Sequence, residues 1–337
     1  MIEAVAPCRA DLAGGTLDIW PLGLLHTGSV TVSAALAVHV VLRVDRTGPR
    51  GRVVHVVAGG EPRQLEADDA TTDLTAAVVF ALRPRAGVRV EVVTQPPIGS
   101  GLGGSSAYGV ALARAVAELG SGTLDDRSTV ALVRDLEARV LGVPTGTQDH
   151  WAALRGGAMA LHAEPGGDRF EELPADVEWL RPRMTVFYTG ISHHSGMVNW
   201  EVMRRRLDRD ADTTRAFGEI AEAAAECREA FVAGDADGVA AAIRDEWSAR
   251  KRLAPEVCPP ELERLERLAR DAGATAFKAC GAGGGGSVVV WHEPDLGPTV
   301  CAALERTTPQ GRVLARGIET EGCTVRSVET GADEDRS

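Results

Sequence analysis

No run of ~20 predominantly apolar residues, the length that a membrane-spanning helix needs, occurs in this chain; the longest stretches without Asp, Glu, Lys or Arg, 19–42 and 92–113, are broken by Pro, Gly, Ser and Thr. No C-x-x-C pair occurs among its six cysteines (Cys8, Cys227, Cys258, Cys280, Cys301 and Cys323). Such scatter argues against a zinc motif and a disulfide framework, and fits reduced thiols. Positive charge is scarce: 36 Lys and Arg face 48 Asp and Glu, a formal net charge of −12, where a nucleic-acid partner would want a basic face. The opening Met-Ile-Glu-Ala-Val has neither the basic nor the apolar region of a secretory signal. Internal repeats and low-complexity segments are missing as well. What remains is a chain of 337 residues, 44% apolar and 25% charged, long enough for two globular domains. The expected setting is the cytoplasm, with a small-molecule partner and no membrane or nucleic acid, as a monomer or homodimer.

The most informative segment present is Pro96-Pro97-Ile98-Gly99-Ser100-Gly101-Leu102-Gly103-Gly104-Ser105-Ser106-Ala107. Glycines without a Cβ let backbone N–H groups approach a phosphate. The helix expected from Ser105 to Leu119 adds unpaired N–H groups and the positive end of its dipole. Ser105 and Ser106 add hydroxyl donors, or a ligand for a hard cation such as Mg²⁺. Gly99, Gly101 and Gly104 also satisfy G-x-G-x-x-G, but a dinucleotide fold needs a second strand with an acidic end about 20 residues further on. A polar turn (Gly120 to Asp126) and another helix stand there instead. No Lys follows the glycines, which excludes a P-loop. A purely structural glycine turn stays open at this point.

Strands are expected over Val30–Val44 and Val53–Ala58, joined as a hairpin across Asp45–Arg52, and over Val88–Val93 ahead of the glycine loop. Arg127–Leu141 carries Val130, Val133, Leu136 and Val140 at helical spacing and stops before Pro144. A short strand follows at Gly156–His162. The Pro-, Gly- and Glu-containing stretch from Glu164 to Pro182 suggests a boundary, with domains at 1–180 and 181–337. Beyond it come a strand at Met184–Thr189, helical patterns near 197–232, 236–252 and 260–272, and strands at Ser287–Trp291 and Thr324–Thr330. Residues 331–337 read as a frayed acidic tail. Strands, then helices, then strands again give the class α+β.

Three further segments bear on chemistry. Ala6 to Asp18 sets Arg9, Asp11 and Asp18 beside Gly14-Gly15, which suits a site meeting anions and hydroxyls, though Arg9 and Asp18 read equally well as a surface ion pair. Glu137 late on a helix and Asp149 past a Pro-Gly loop are two carboxylates that could converge. Phosphoryl transfer uses such a pair, one to hold Mg²⁺ and one to orient the attacking hydroxyl. A solvated Glu and a turn Asp are the alternative. Lys278 to Ser287, with Gly281 to Gly286, is a second backbone-rich loop that could close over a ligand held by the first, or a flexible hairpin.

Taken together, the glycine loop and the outer two of these segments resemble the three signature motifs of the GHMP kinases in the right order. The resemblance implies a ribosomal-protein-S5-like N-terminal domain, a ferredoxin-like C-terminal domain, and ATP with Mg²⁺ between them. Carried over by position, Arg9 lies beside the reacting hydroxyl and Asp149 is the catalytic base, kept ionised by Arg9. Ser105 and Glu137 hold the metal, and the nucleotide follows Pro97, Gly99, Ser100, Gly101, Leu102, Gly103, Gly104, Ser105 and Ser106. Asp18, Thr16, Gly146, Gln148, His193, Gly283 and Gly284 are expected on the substrate side. Gly146-Thr147-Gln148-Asp149-His150-Trp151-Ala152-Ala153, Gly156-Gly157 and Thr189-Gly190-Ile191-Ser192 are similar to motifs of heptose-phosphate kinases, and the Glu137–Asp149 interval is longer than in mevalonate kinases. This implies phosphorylation of the anomeric hydroxyl of a heptose or octose phosphate. The alternatives are a free sugar of galactose or fucose type, mevalonate, or an ATP- and sugar-binding sensor. His193 replaces an Arg usual after T-G-I-S, and Leu17 replaces a Thr. His193, His194, Arg204 or Arg205 is therefore expected to take a distal phosphate, unless the arginines are only a solvated helix face.

Overall fold

The computed structural model describes residues 1–57, 60–174, 177–191 and 195–329. Its first half runs β1 (Ile2–Ala13), β2 (Val30–Arg46), β3 (Val53–Val57), β4 (Arg63–Leu65), α1 (Leu74–Leu82), β5 (Val88–Thr94), α2 (Gly104–Val116), α3 (Asp126–Leu141), α4 (Gln148–Arg155), β6 (Ala158–Glu164) and β7 (Gly167–Leu173). The second half continues with α5 (Val177–Leu180), β8 (Met184–Tyr188), α6 (Ser195–Leu207), α7 (Ala211–Ala233), α8 (Ala236–Arg250), α9 (Pro260–Asp271), β9 (Ala274–Ala279), β10 (Ser287–His292), α10 (Gly297–Thr307), β11 (Arg312–Arg316) and β12 (Thr324–Ser327). The class is mixed α and β, as expected.

The larger sheet has the order β12-β1-β2-β5-β3-β4, with β6 joined to β2 and β7 to β6. The smaller, β11-β8-β10-β9, is wholly antiparallel. Its fourth, first, third and second strands lie side by side, the β-α-β-β-α-β arrangement of ferredoxin-like folds. On the larger sheet, α2 packs closely because its inward residues are small: Ala107, Ala111, Ala113 and Ala115 are all fully buried with Val110 and Leu112. The same core extends to α7 and α8 through Ala224, Cys227, Phe231 and Ile243, so one apolar mass joins the two halves. α3 forms where the pattern placed it. Asp125 accepts from Ser128 N–H at its start, Val130, Val133 and Leu136 are buried, and Gly142 ends it in the left-handed region.

Three expectations change, at β3, over 197–232 and at the end of α2. β3 does not form a hairpin with β2. It lies parallel to β5, Val53 opposite Val88, while β5 itself pairs antiparallel with β2. A parallel pair needs a crossover, and α1 supplies it. The helical pattern at 197–232 is two helices, because Arg209 takes a positive φ of 61° and Asp210 caps α7 by accepting from Thr213 N–H. The stretch 164–182 contains β7, which closes a hairpin with β6. α2 stops at Val116, and Ala117–Ser121 forms a wider turn in which Gly120 has φ 104°. The last strand, β12, pairs with β1 in the larger sheet, Ile2 opposite Ser327.

Candidate active site

Three of the predicted segments meet at the N-terminus of α2. Arg9, on β1, donates Nη1 to Gly101 O at 2.6 Å, and its backbone N–H donates to Leu102 O at 3.0 Å. Its Nε lies 2.7 Å from Asp149 Oδ1. One guanidinium therefore fixes both the glycine loop and the carboxylate. The Arg9 side chain is 6% exposed and that of Asp149 23%, so the carboxylate is the partner that a ligand can reach. Gly103 explains the closeness. At φ 71°, a Cβ there would stand 2.8 Å from Asp149 Cγ, so only glycine lets the loop pass over the acid.

The second glycine loop adjoins the first directly. Ser287 N–H donates to Ser100 O at 2.7 Å, main chain to main chain. The loop's own groups are held by the protein: Gly284 N–H donates to Val257 O, Gly286 N–H to Ile191 O, and Gly286 O accepts from Thr189 N–H and its hydroxyl. The expected crevice between the loops is thus bridged at this point. Gly284, expected on the substrate, spends its N–H on Val257, and Gly283 packs against the same residue. In the first loop, Leu102 is wholly buried and Ser100 nearly so. Pro97, Gly99 and Ser105 retain exposed surface.

Glu137 reaches the start of α2 from α3. Its Oε1 accepts from Ser105 Oγ at 2.5 Å and its Oε2 from Ser106 Oγ at 2.7 Å, while His150 Nε2 stands 3.1 Å from Oε2. Burial works to raise the Glu137 carboxyl, but His150 and the two hydroxyls outweigh it and hold it below its ordinary value. Asp149 goes the other way. Burial raises it, the positive charge of Arg9 opposes, and the net direction is upward. The expectation that Arg9 keeps this carboxyl depressed is corrected: Arg9 moderates a rise that desolvation sets.

Among the residues expected on the substrate side, Asp18, Gly146 and Gln148 gather at the start of α4. Asp18 Oδ2 accepts from the N–H groups of Thr147 (2.8 Å) and Gln148 (3.0 Å), satisfying the helix start that carries Asp149. Gln148 also accepts from Ser33 Oγ at 2.6 Å, and Thr16 Oγ1 accepts from Arg250 at 3.2 Å. Burial pushes the Asp18 carboxyl up to about 6, against the Gln148 N–H. A Cβ on Gly146 would fall 1.9 Å from Asp18 Oδ2. Gly146→Ala is therefore expected to drive Asp18 off the α4 amides, costing about 1–3 kcal/mol in denaturant unfolding and lowering turnover through Asp149. Unchanged unfolding and turnover would remove Asp18 from this framing role.

Asp11, read beside Arg9 as part of an anion and hydroxyl site, is fully buried and faces Lys278 Nζ at 2.9 Å. Lys278 also lies 3.2 Å from Glu246, which pairs with Arg250 at 2.5 Å. No local pattern links these four positions, and their roles were not legible. His193 and His194 lie outside the described residues. Arg204 pairs with Glu201 on its own helix, and Arg205 donates to Leu253 O. Both are thus engaged within the protein, the solvated-face alternative for Arg204.

The donor set fits a nucleotide phosphate with Mg²⁺. Helices α1, α3, α7 and α8 each have an Asp capping their first turn, whereas no side chain caps α2. Its free N–H groups can take an anion. Ser105 Oγ and Glu137 Oε1 are hard oxygens of the kind Mg²⁺ takes alongside phosphate.

Comparison with known proteins places this geometry among relatives. Residues 71–157 match the family model described as GHMP kinases N terminal domain, and residues 227–310 match GHMP kinases C terminal. The chain is 26% identical, over 95% of its length and 97% of the relative's, to D-glycero-alpha-D-manno-heptose 7-phosphate kinase of Campylobacter jejuni subsp. jejuni serotype O:2. It is 28% identical to mevalonate kinase of Thermococcus onnurineus, over 72% of this chain and 70% of that one. The crystal structure of a D-glycero-D-manno-heptose 1-phosphate kinase from Bacteroides thetaiotaomicron superposes with a TM-score of 0.75 at 22% identity, over 98% of this chain and 100% of that one. The last likeness concerns the fold.

Proposed function

Because this chain belongs to the GHMP kinases, we propose that it transfers the γ-phosphoryl group of ATP to the anomeric hydroxyl of a sugar phosphate, a heptose 7-phosphate or a related octose phosphate. The observation that carries this reading is the Arg9–Asp149 pair at 2.7 Å, under the glycine loop and beside the Ser105–Glu137 pair. Asp149 orients the sugar hydroxyl and accepts its proton on the oxygen that Arg9 leaves free. An anomeric hydroxyl is more acidic than an ordinary alcohol, so a carboxylate is a better matched base there, and the raised Asp149 carboxyl narrows the gap further. The α2 N-terminus and the exposed face of the glycine loop bind the phosphates. Ser105 and Glu137 hold Mg²⁺, which when bound neutralises charge on the β- and γ-phosphates. Arg9 positions Asp149 and offsets negative charge on the reacting oxygens.

In this reading residues 1–180 form the nucleotide-binding unit and 181–337 the second unit, with β12 returning to the first sheet. The choice of a sugar phosphate is supported by likeness to the heptose 7-phosphate kinase over almost the whole chain.

A coupled ADP-release assay tests it across heptose 7-phosphate, octose phosphates, free galactose and fucose, and mevalonate. We expect kcat/KM for a sugar phosphate to exceed that for any free sugar or mevalonate by at least about tenfold, with product ³¹P resonances of a C1 phosphate. Preferred turnover of mevalonate or a free sugar would move the enzyme to another branch. Tight ATP and sugar binding with no ADP release from any acceptor would make it a sensor.

A further inference from the structure

Glu137 is held unequally at its two oxygens. Oε1 lies with Ser105, which is exposed at the mouth of the site, whereas Oε2 faces inward to Ser106, 3% exposed, and to His150, which is wholly buried. Solvent and substrate cannot reach the imidazole, so it can act on the reaction only through what it touches. Neither ring nitrogen of His150 completes a well-aligned hydrogen bond among the described residues, and Nε2 is the one that stands beside a carboxylate oxygen. The tautomer that carries its proton on Nε2 is therefore the one with an acceptor in reach, 3.1 Å away on Glu137.

We propose that His150 is a positioning residue: together with Ser106 it clamps the inner oxygen of Glu137, so that Oε1, beside Ser105 Oγ, is the oxygen presented to Mg²⁺. This rests on the kinase reading above. The geometry has a simple logic. A carboxylate free to rotate offers either oxygen, or both, and spreads its metal affinity over several poses. With Oε2 bonded by the Ser106 hydroxyl on α2 and faced at 3.1 Å by His150 Nε2 on α4, one pose is favoured, and outer partners of this kind typically carry a tenfold to hundredfold share of metal affinity. The role requires an N–H donor and no change of charge.

The test uses Mn²⁺ as an electron paramagnetic resonance probe, titrated into the full-length protein with a non-hydrolysable ATP analogue. His150→Leu is expected to raise the Mn²⁺ dissociation constant by about tenfold or more. His150→Gln, which restores an N–H donor, should stay within about threefold of wild type. The affinity for the analogue without metal should be the same in all three. If His150→Leu does not fold by circular dichroism, Ser106→Ala carries the test, since it removes the other donor to the same oxygen and should show the same rise. Wild-type Mn²⁺ affinity in His150→Leu or, in its place, Ser106→Ala would overturn the inference alone. Absence of a nucleotide-dependent Mn²⁺ site in the wild-type protein would overturn the kinase reading, and the inference with it.

Discussion

Asp149→Asn is expected to lower phosphoryl transfer by a factor on the order of 10³, the scale of a positioned general base, while ATP-analogue affinity changes by no more than about threefold. Asparagine keeps the shape and can still lie beneath Gly103, but it neither takes the hydroxyl proton nor balances Arg9. Single-turnover transfer of labelled γ-phosphate and equilibrium nucleotide binding separate the two effects. Turnover near that of wild type would remove Asp149 from the role of base. The pH dependence gives a second reading of the same group. The base must be ionised, so kcat/KM falls as pH drops through its pKa, and burial places that limb above the ordinary carboxylate range. Arg9 opposes the rise, so Arg9→Met should carry the limb to still higher pH. A limb that moves down in Arg9→Met would contradict the assignment.

The second large effect concerns stability. Lys278→Met should destabilise the protein by about 3–5 kcal/mol, the usual consequence of removing one partner from a buried ionic group. Asp11, Glu246 and Lys278 are fully buried and Arg250 nearly so, and the lysine is the member that touches both acids. Burial works to raise Asp11, but Lys278, then Arg250 and Arg9, hold it below its ordinary value. In the wild type this favours the folded state above the unfolded pKa of Asp11, and the contribution is lost as pH falls through the lower folded pKa. In the variant desolvation prevails and the sign reverses, so protonating Asp11 relieves the folded state. The gap between the two proteins should narrow from pH 7.5 to pH 5. Denaturant unfolding at both pH values measures it, and a constant gap would show that the loss is packing rather than charge.

Much of this site could be read before any fold was known, because its parts are short and locally patterned. The glycine loop, the Glu137 helix and the Pro-Gly turn before Asp149 announce themselves by residue type, and they do converge. What failed was whatever depends on distant neighbours. α1 is apolar on almost every side, so no periodic stripe marks it in the sequence, and the crossover that sets β3 beside β5 rather than β2 is hidden with it. The break at Arg209 was nearer to hand, since Asp210 three residues before Thr213 is a helix-start signal. Thr16, Asp18 and Gln148 look like sugar ligands by the family resemblance, yet in the structure Asp18 and Gln148 bond to each other, Gln148 also to Ser33, and Thr16 to Arg250. Nothing local marks His150 as the partner of Glu137, because the pairing exists only once α3 and α4 are packed. The same holds for Lys278 and Asp11, far apart in the chain.

The bond from Ser287 to Ser100 has a mechanical meaning. It ties the first residue of β10, an inner strand of the ferredoxin-like sheet, to the glycine loop at Ser100, with no side chain between to act as a spring. A tilt of β10 is thereby transmitted to the loop at once, and through Gly101 to the guanidinium that steadies Asp149. Substitutions on the far side of that small sheet should thus be felt as changes in turnover before they are felt as changes in nucleotide affinity.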